Sequence, residues 1–193
     1  IHMELKHPLP SNRTYEQILN HYEVEKAIAA RLMSASREER KKIYAGMYDE
    51  LFAKVPDHSR LTRRQDESKT RHVNRAKFAL IRRAVGQSTV FAEFAPGDCR
   101  FAMEVAPRVK QAIGIDISDQ RNPNDPVPGN FSLVVYDGYN LTEIPDGTLD
   151  ILFSDQLIEH FHPEDTALHF QTANRILKKG GNAVDAAVAV AFA

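Results

Sequence analysis

The stretch Val90-Phe91-Ala92-Glu93-Phe94-Ala95-Pro96-Gly97-Asp98-Cys99, with Gly114-Ile115-Asp116-Ile117-Ser118 after it, decides the fold. Val90 to Phe94 is apolar, Phe101 to Val109 is amphipathic, and Ala112 to Ile117 is apolar again. That order reads as a strand, a tight turn, a helix and a second, buried parallel strand ending in an acid. In open α/β sheets a small ligand sits beyond the carboxyl ends of the strands, and an acid about 20 residues after the glycine turn can hold two ribose hydroxyls. Asp116 stands at that distance from Gly97. Alone, a strand-end aspartate reads equally well as a turn former. Together with the first loop it reads as part of a nucleoside-cofactor site.

Charge narrows the choice of cofactor. A dinucleotide loop offers backbone N–H groups and a helix N-terminus to a pyrophosphate, usually through G-x-G-x-x-G. Here position 95 is alanine, position 96 is proline without an N–H, and the carboxylates Glu93 and Asp98 flank the turn. Those acids repel a pyrophosphate and favour a ligand carrying an ammonium and a sulfonium, as S-adenosylmethionine does. Asp98 also reads as the N-cap of the next helix.

These residues resemble the first motif of class I S-adenosylmethionine-dependent methyltransferases of the type 11-like group, acid-x-small-x-Gly, and Asp116 matches that family's ribose-binding acid. Tyr136-Asp137-Gly138 follows an apolar run at the position of the family's adenine-side aspartate. Ile144 to Ser154 is similar to the passage into strand four, Gln156 to Phe161 to the segment beneath the methyl donor, and Arg175 to Gly181 to the helix end before strand five. The resemblance covers about residues 73–181. It implies an α/β fold with a Rossmann-like, doubly wound, mostly parallel sheet and S-adenosyl-L-methionine as cofactor. Its implied cofactor contacts are Glu93, Ala95, Gly97 and Asp98 at the methionine end, Asp116 and Ile117 at the ribose, Asp137 and Gly138 at the adenine, and Ser154, Asp155 and Gln156 facing the methyl. The expected reaction is methyl transfer to a small-molecule acceptor. A non-catalytic S-adenosylmethionine-binding module and a nicotinamide-dependent oxidoreductase are the alternatives.

The histidines of the same region admit two roles. His160, His162 and His169 lie near Glu159, Glu164 and Asp165, but His160-x-His162 before Pro163 lacks helical i, i+4 metal-ligand placement, so no metal is expected. His160 or His162 is the candidate general base toward an acceptor hydroxyl or amine.

Composition describes a chain with the core of one domain: 193 residues, formal net charge −1, one cysteine and no apolar run of spanning length. This pattern suggests a cytoplasmic protein with no membrane partner. Cys99, beside Asp98, reads as packing rather than as a nucleophile. Ile1-His2-Met3 reads as a cloning scar.

Three regions are expected: an N-terminal helical cap over 1–72, a cofactor-binding core over 73–181, and an atypical Ala-rich tail over 182–193. Tyr15–Leu32 and Ser36–Val55 carry apolar residues at the helical period, with Ser34 or Ser36 as cap and Val55-Pro56 as stop. Tyr44, Tyr48 and Phe52 form an aromatic stripe that reads as core or as acceptor-pocket lining. Arg60 to Arg83 carries nine basic residues against Asp66 and Glu67, a net of +7, and residues 84–193 a net of −8. The basic stretch reads as a solvated face or as a receiver for an anionic acceptor; lacking interleaved aromatics, it is not expected to bind nucleic acid. After Gly180-Gly181 the tail departs from the methyltransferase pattern and is similar to a helical stretch of γ-glutamyltranspeptidases. A sheet truncated after strand four would leave an unpaired edge, so homo-oligomerisation or low stability is expected.

Overall fold

The computed structural model describes residues 13–63 and 66–178. The Ala-rich tail, with Lys179, Gly180 and Gly181, lies outside the described residues, as do Ile1-His2-Met3 and Arg64. The chain divides into two compact units, residues 1–70 and 71–193.

The first unit is helical. α1 (Tyr15–Ser34) opens with a capping box in which Thr14 Oγ1 accepts from Gln17 N–H and Gln17 Oε1 accepts from Thr14 N–H. α2 (Arg37–Lys54) begins after Ser36, whose backbone N–H and hydroxyl both donate to the Glu39 carboxylate, and it stops at Val55 before Pro56. Tyr44 is buried, and the Tyr48, Phe52 and His58 rings stack in sequence within this unit. Those contacts favour core over pocket for the aromatic stripe. α3 (Ser59–Arg63) follows.

The second unit is a four-stranded, wholly parallel sheet in the order β3-β2-β1-β4. Its strands are β1 (Val90–Phe94), β2 (Gln111–Asp116), β3 (Phe131–Val135) and β4 (Ile151–Ser154). Alternate residues of β1 and β4 face opposite sides: Phe91, Ile151 and Phe153 join Phe101 and Val105 of α5 (Arg100–Val105) and Ile81, whereas Ala92, Phe94 and Leu152 join Ala173 and Ile176. Both faces are therefore covered, which explains why the strands read as continuous apolar runs. Ile81 ends α4 (Glu67–Ile81), and Ala173 and Ile176 lie on α6 (Pro163–Ile176).

Two crossovers differ from a regularly wound sheet. Residues 117–130 join β2 to β3 without a helix, because Pro123, Pro126 and Pro128 each remove a donor that a helix there would need. Residues 136–150, with Pro145, likewise reach β4 without one. The amphipathic run after the first loop is also shorter as an α-helix than expected, passing into a 3-10 turn at Ala106–Arg108 around Pro107.

The edge beyond β4 is met by the returning chain. Leu177 bridges Leu149 in parallel, and Lys178 N–H donates to the Leu149 carbonyl. The continuation past 178 falls outside the described residues.

Candidate functional site

The strand order reverses direction between β1 and β4, and ligands of open α/β sheets sit at such a switch point, beyond the strand ends. Glu93 pairs in register with Phe153 and Phe94 with Ser154, so the first loop and the segment Ser154-Asp155-Gln156 leave the sheet side by side.

The loop after β1 has an unusual backbone. Ala95, Gly97 and Cys99 have φ of 52°, 60° and 61°, alternating with Pro96 and Asp98. The left-handed region suits glycine at position 97 but costs roughly 1–2 kcal/mol for alanine. The conformation is held by its hydrogen bonds: Ala95 N–H donates to the Ile115 carbonyl, Cys99 N–H to the Pro96 carbonyl, and Gly97 N–H to Asp116 Oδ2 at 3.1 Å. Ala95→Gly is accordingly expected to raise unfolding stability by about 0.5–1 kcal/mol, relief of the αL strain outweighing the added chain entropy. A urea titration measures it.

Asp98 is not the helix cap expected from the sequence. Cys99 occupies that position, in a left-handed conformation without a side-chain cap, and Asp98 Oδ1 instead accepts from Arg100 N–H at 3.2 Å. The Cys99 thiol is fully buried, and burial, then Glu93 and Asp116, push its pKa far upward, so it is inert at neutral pH.

Asp116 ends β2 with 4% of its surface exposed. Its Oδ1 accepts from Ile117 N–H at 2.7 Å while Oδ2 holds Gly97, so one carboxylate ties the second strand to the first loop. The spacing that suggested a ribose-binding acid is thus also the spacing of a loop clamp. Asp137 makes a local turn, accepting from the N–H groups of Tyr139 and Asn140 and from the Asn140 amide, ahead of Gly138 at φ 86°.

At the switch point stands one residue of the basic stretch. Lys77 of α4 places Nζ 3.0 Å from Asp155 Oδ2 and 3.6 Å from Glu93 Oε1, above the rings of Phe101 and Phe153. Nothing local in the sequence marks Lys77 out, since its partners come from two distant strand ends. Glu93 is buried, and its Oε2 has no hydrogen-bond partner. Burial raises its pKa to about 7 against the pull of Lys77, with Asp98 and Asp155 raising it further.

The histidines separate. His162 is the N-cap of α6, its Nδ1 accepting from Glu164 N–H at 3.3 Å. His169 is buried among Phe94, Phe161 and Phe170, and burial lowers its pKa to about 4, so it is a neutral core ring. His160 sits in a 3-10 turn, Ile158–His160.

A metal-like cluster lies elsewhere, in the helical unit, and its members are too far apart along the chain to stand out in the sequence: ligand atoms of His21, Glu25 and His58 fall within 4.8 Å of one another. Its hydrogen bonds oppose ligation. Arg13 donates to His21 Nδ1 and Arg60 N–H to His58 Nδ1, which puts the proton of each neutral ring on Nε2 and leaves no free lone pair for a cation. Burial, with His21, Arg60 and Arg13 nearby, also lowers the His58 pKa to about 4.

The comparisons with known proteins bear on the sheet unit. Residues 92–184 match a methyltransferase domain. The fold is the Rossmann-like one of methyltransferases. Phosphoethanolamine N-methyltransferase 1 of Haemonchus contortus, solved with phosphoethanolamine and S-adenosylhomocysteine, is similar at 16% identity and a TM-score of 0.58, over 76% of this chain and 32% of that one. An S-adenosylmethionine-dependent methyltransferase of Mesorhizobium loti is similar at 20% identity and a TM-score of 0.44, over 53% of this chain and 48% of that one. The chain spans from about a third to about half of the length of the first solved structures it matches. No curated protein matches. No described helix is long and apolar enough to cross a membrane.

The site residues fit S-adenosylmethionine as cofactor. Asp98 and Asp155 lie near Glu93, one buried carboxylate oxygen of Glu93 lacks a donor, and the loop's N–H groups at 95, 97 and 99 are already engaged.

Proposed function

We propose that the sheet unit binds S-adenosylmethionine at the β1/β4 switch point and transfers its methyl group to a small-molecule acceptor. The observation that carries this is the pairing of acid with spent donors: Asp98 and Asp155 both act on the buried Glu93 carboxyl, beside a loop that has its Ala95, Gly97 and Cys99 N–H groups bonded internally. A pyrophosphate needs free N–H groups and suffers from the acids, so these observations favour a cationic ligand over a dinucleotide.

When bound, the cofactor supplies a methyl group already made electrophilic by its sulfonium. The chain's own residues then bind and position. In this reading Glu93, Ala95, Gly97 and Asp98 hold the methionine end. Asp116 and Ile117 lie along the ribose, Asp137 and Gly138 at the adenine, and Ser154, Asp155 and Gln156 line the approach to the methyl. His160 is the better candidate to take the acceptor's proton, because His162 Nδ1 is occupied as a helix cap.

Titration of the full chain with S-adenosylhomocysteine tests the reading. Saturable binding with no response to NADH is expected; absence of binding to both S-adenosylhomocysteine and S-adenosylmethionine overturns it. Turnover against an acceptor panel then separates an enzyme from a non-catalytic binding module.

Glu93 also links binding to pH. Its folded pKa, about 7, lies above the ordinary 4.5, so the folded state holds the extra proton and stability falls as pH rises from about 4.5 through about 7. A cationic ligand favours the ionised form, so S-adenosylmethionine affinity is expected to rise with pH over the upper part of that window. The expected slope is at most about tenfold per unit, flattening above pH 8. Calorimetry at pH 6, 7 and 8 reads this, and Glu93→Gln abolishes the slope.

A further inference from the structure

We propose that the protein self-associates through α1, whose outward face is an antiparallel coiled-coil seam for the same helix of a second copy. This association does not depend on the methyl-transfer reading.

Spacing defines the seam. Half of the large apolar side chains left exposed among the described residues, Tyr15, Leu19, Tyr22 and Met33, stand on this one helix, each between 41% and 56% exposed. With Lys26 and Ala29, also exposed, they recur at alternating steps of four and three residues, the a/d repeat of a coiled coil. At roughly 100° per residue the stripe lies about 100–140° round the helix from Ile28 and Leu32, the buried residues of α1. The contacts to α2 fall elsewhere on the helix again: Arg31 pairs with Glu50, and Asn20 Nδ2 donates to the Lys54 carbonyl. The stripe is therefore a second face, distinct from the one that α1 uses inside its own unit.

The order of sizes and charges along the stripe selects both the partner and its direction. In a parallel pair each position meets itself, so two Lys26 ammoniums would oppose each other in mid-seam and two Ala29 methyls would face across a gap. An antiparallel pair, with its twofold axis level with Val24, has no such conflict. Tyr15 then meets the partner's Met33, Leu19 the partner's Ala29 and Tyr22 the partner's Lys26, each contact occurring twice. These are matched pairs: a thioether at a ring, a large side chain beside a small one, and an ammonium over a ring. Lys26 Nζ already lies 5.3 Å from the ring centre of its own Tyr22, with a Glu23 carboxylate oxygen 4.0 Å away as counter-charge, so its stem runs along the stripe.

The helix is also formed in advance. The Thr14–Gln17 capping box fixes its start and the burial of Ile28 and Leu32 holds it in its unit, so docking does not have to order this backbone. From Tyr15 to Met33 the seam is about 27 Å long. One helix pair of that length covers less than the roughly 800 Å² per partner of a standard interface, so a weak dimer results, with a Kd on the order of 100 μM.

Sedimentation velocity of the full chain from about 10 μM to about 1 mM tests the proposal. A monomer–dimer equilibrium is expected. Leu19→Glu is expected to weaken it at least tenfold with the circular dichroism spectrum unchanged, because Leu19 is an exposed side chain. Direction is read by oxidative cross-linking of Leu19→Cys and Ala29→Cys, prepared separately and then mixed; the native Cys99 is buried and does not compete. Like positions stand about 15 Å apart along the antiparallel seam, so a disulfide-linked dimer is expected in the mixture and in neither variant alone. A chain that stays monomeric to about 1 mM, a dimer indifferent to Leu19→Glu, or cross-linking of either variant with itself overturns the proposal.

Discussion

Asp116→Ala is expected to weaken S-adenosylhomocysteine binding by roughly 100-fold and to lower unfolding stability by about 2 kcal/mol. Two separate losses combine. The carboxylate accepts from Gly97 N–H and Ile117 N–H, and removing it leaves both donors at a buried strand end without their acceptor. The Gly97 bond also holds the left-handed loop against β2, so the cofactor loses a shaped wall as well as any contact to Asp116 itself. Asp116→Asn separates the two effects. It keeps one acceptor oxygen but turns an amide NH2 toward the other N–H donor, so about 1 kcal/mol of the stability loss is expected to remain, while the loss of charge still lowers affinity by about tenfold. Calorimetry and urea unfolding on the same samples read both. Unchanged affinity in both variants would leave Asp116 a clamp alone.

Gly114→Val is expected to destabilise the protein by about 3 kcal/mol, although valine is a better strand former than glycine. A Cβ at position 114 would stand 3.0 Å from Leu133 Cδ1, 3.2 Å from Pro96 Cγ and 3.4 Å from Phe131 Cζ. Leu133 can turn aside, but Pro96 is a rigid ring in the middle of the loop after β1. The loop must shift to admit the larger side chain, so S-adenosylhomocysteine affinity is expected to fall together with stability. Gly114→Ala is expected to cost about 1 kcal/mol, and urea titration orders the series. A valine variant as stable as the parent would mean that the loop is not seated on β2 as described.

Much of the sheet unit was legible because its strands are buried on both faces. Val90–Phe94 and Ala112–Asp116 read as apolar runs for that reason, and the separation of Gly97 from Asp116 reports that the turn and the second strand end must meet. The helix boundaries were legible where caps are local, as at Thr14 and at Ser36 with Glu39. The reading failed by one residue at Asp98. There the left-handed backbone at Cys99, imposed by the packing of the loop, moved the cap to a residue type that rarely serves as one. The histidines behaved similarly: proximity in sequence grouped His160, His162 and His169, but burial sent His169 into an aromatic cluster and helix geometry made His162 a cap.

The sequence by itself determined the parallel α/β character, the place of the turn after β1 and its acidic sign, because apolar periodicity, turn residues and charge are local properties. Only the tertiary structure decided how that charge is used. Lys77, Glu93 and Asp155 belong to a helix and two strand ends far apart along the chain, and only the β3-β2-β1-β4 order brings them together. Their coupling depends on distance and burial, and neither quantity is written in residue spacing.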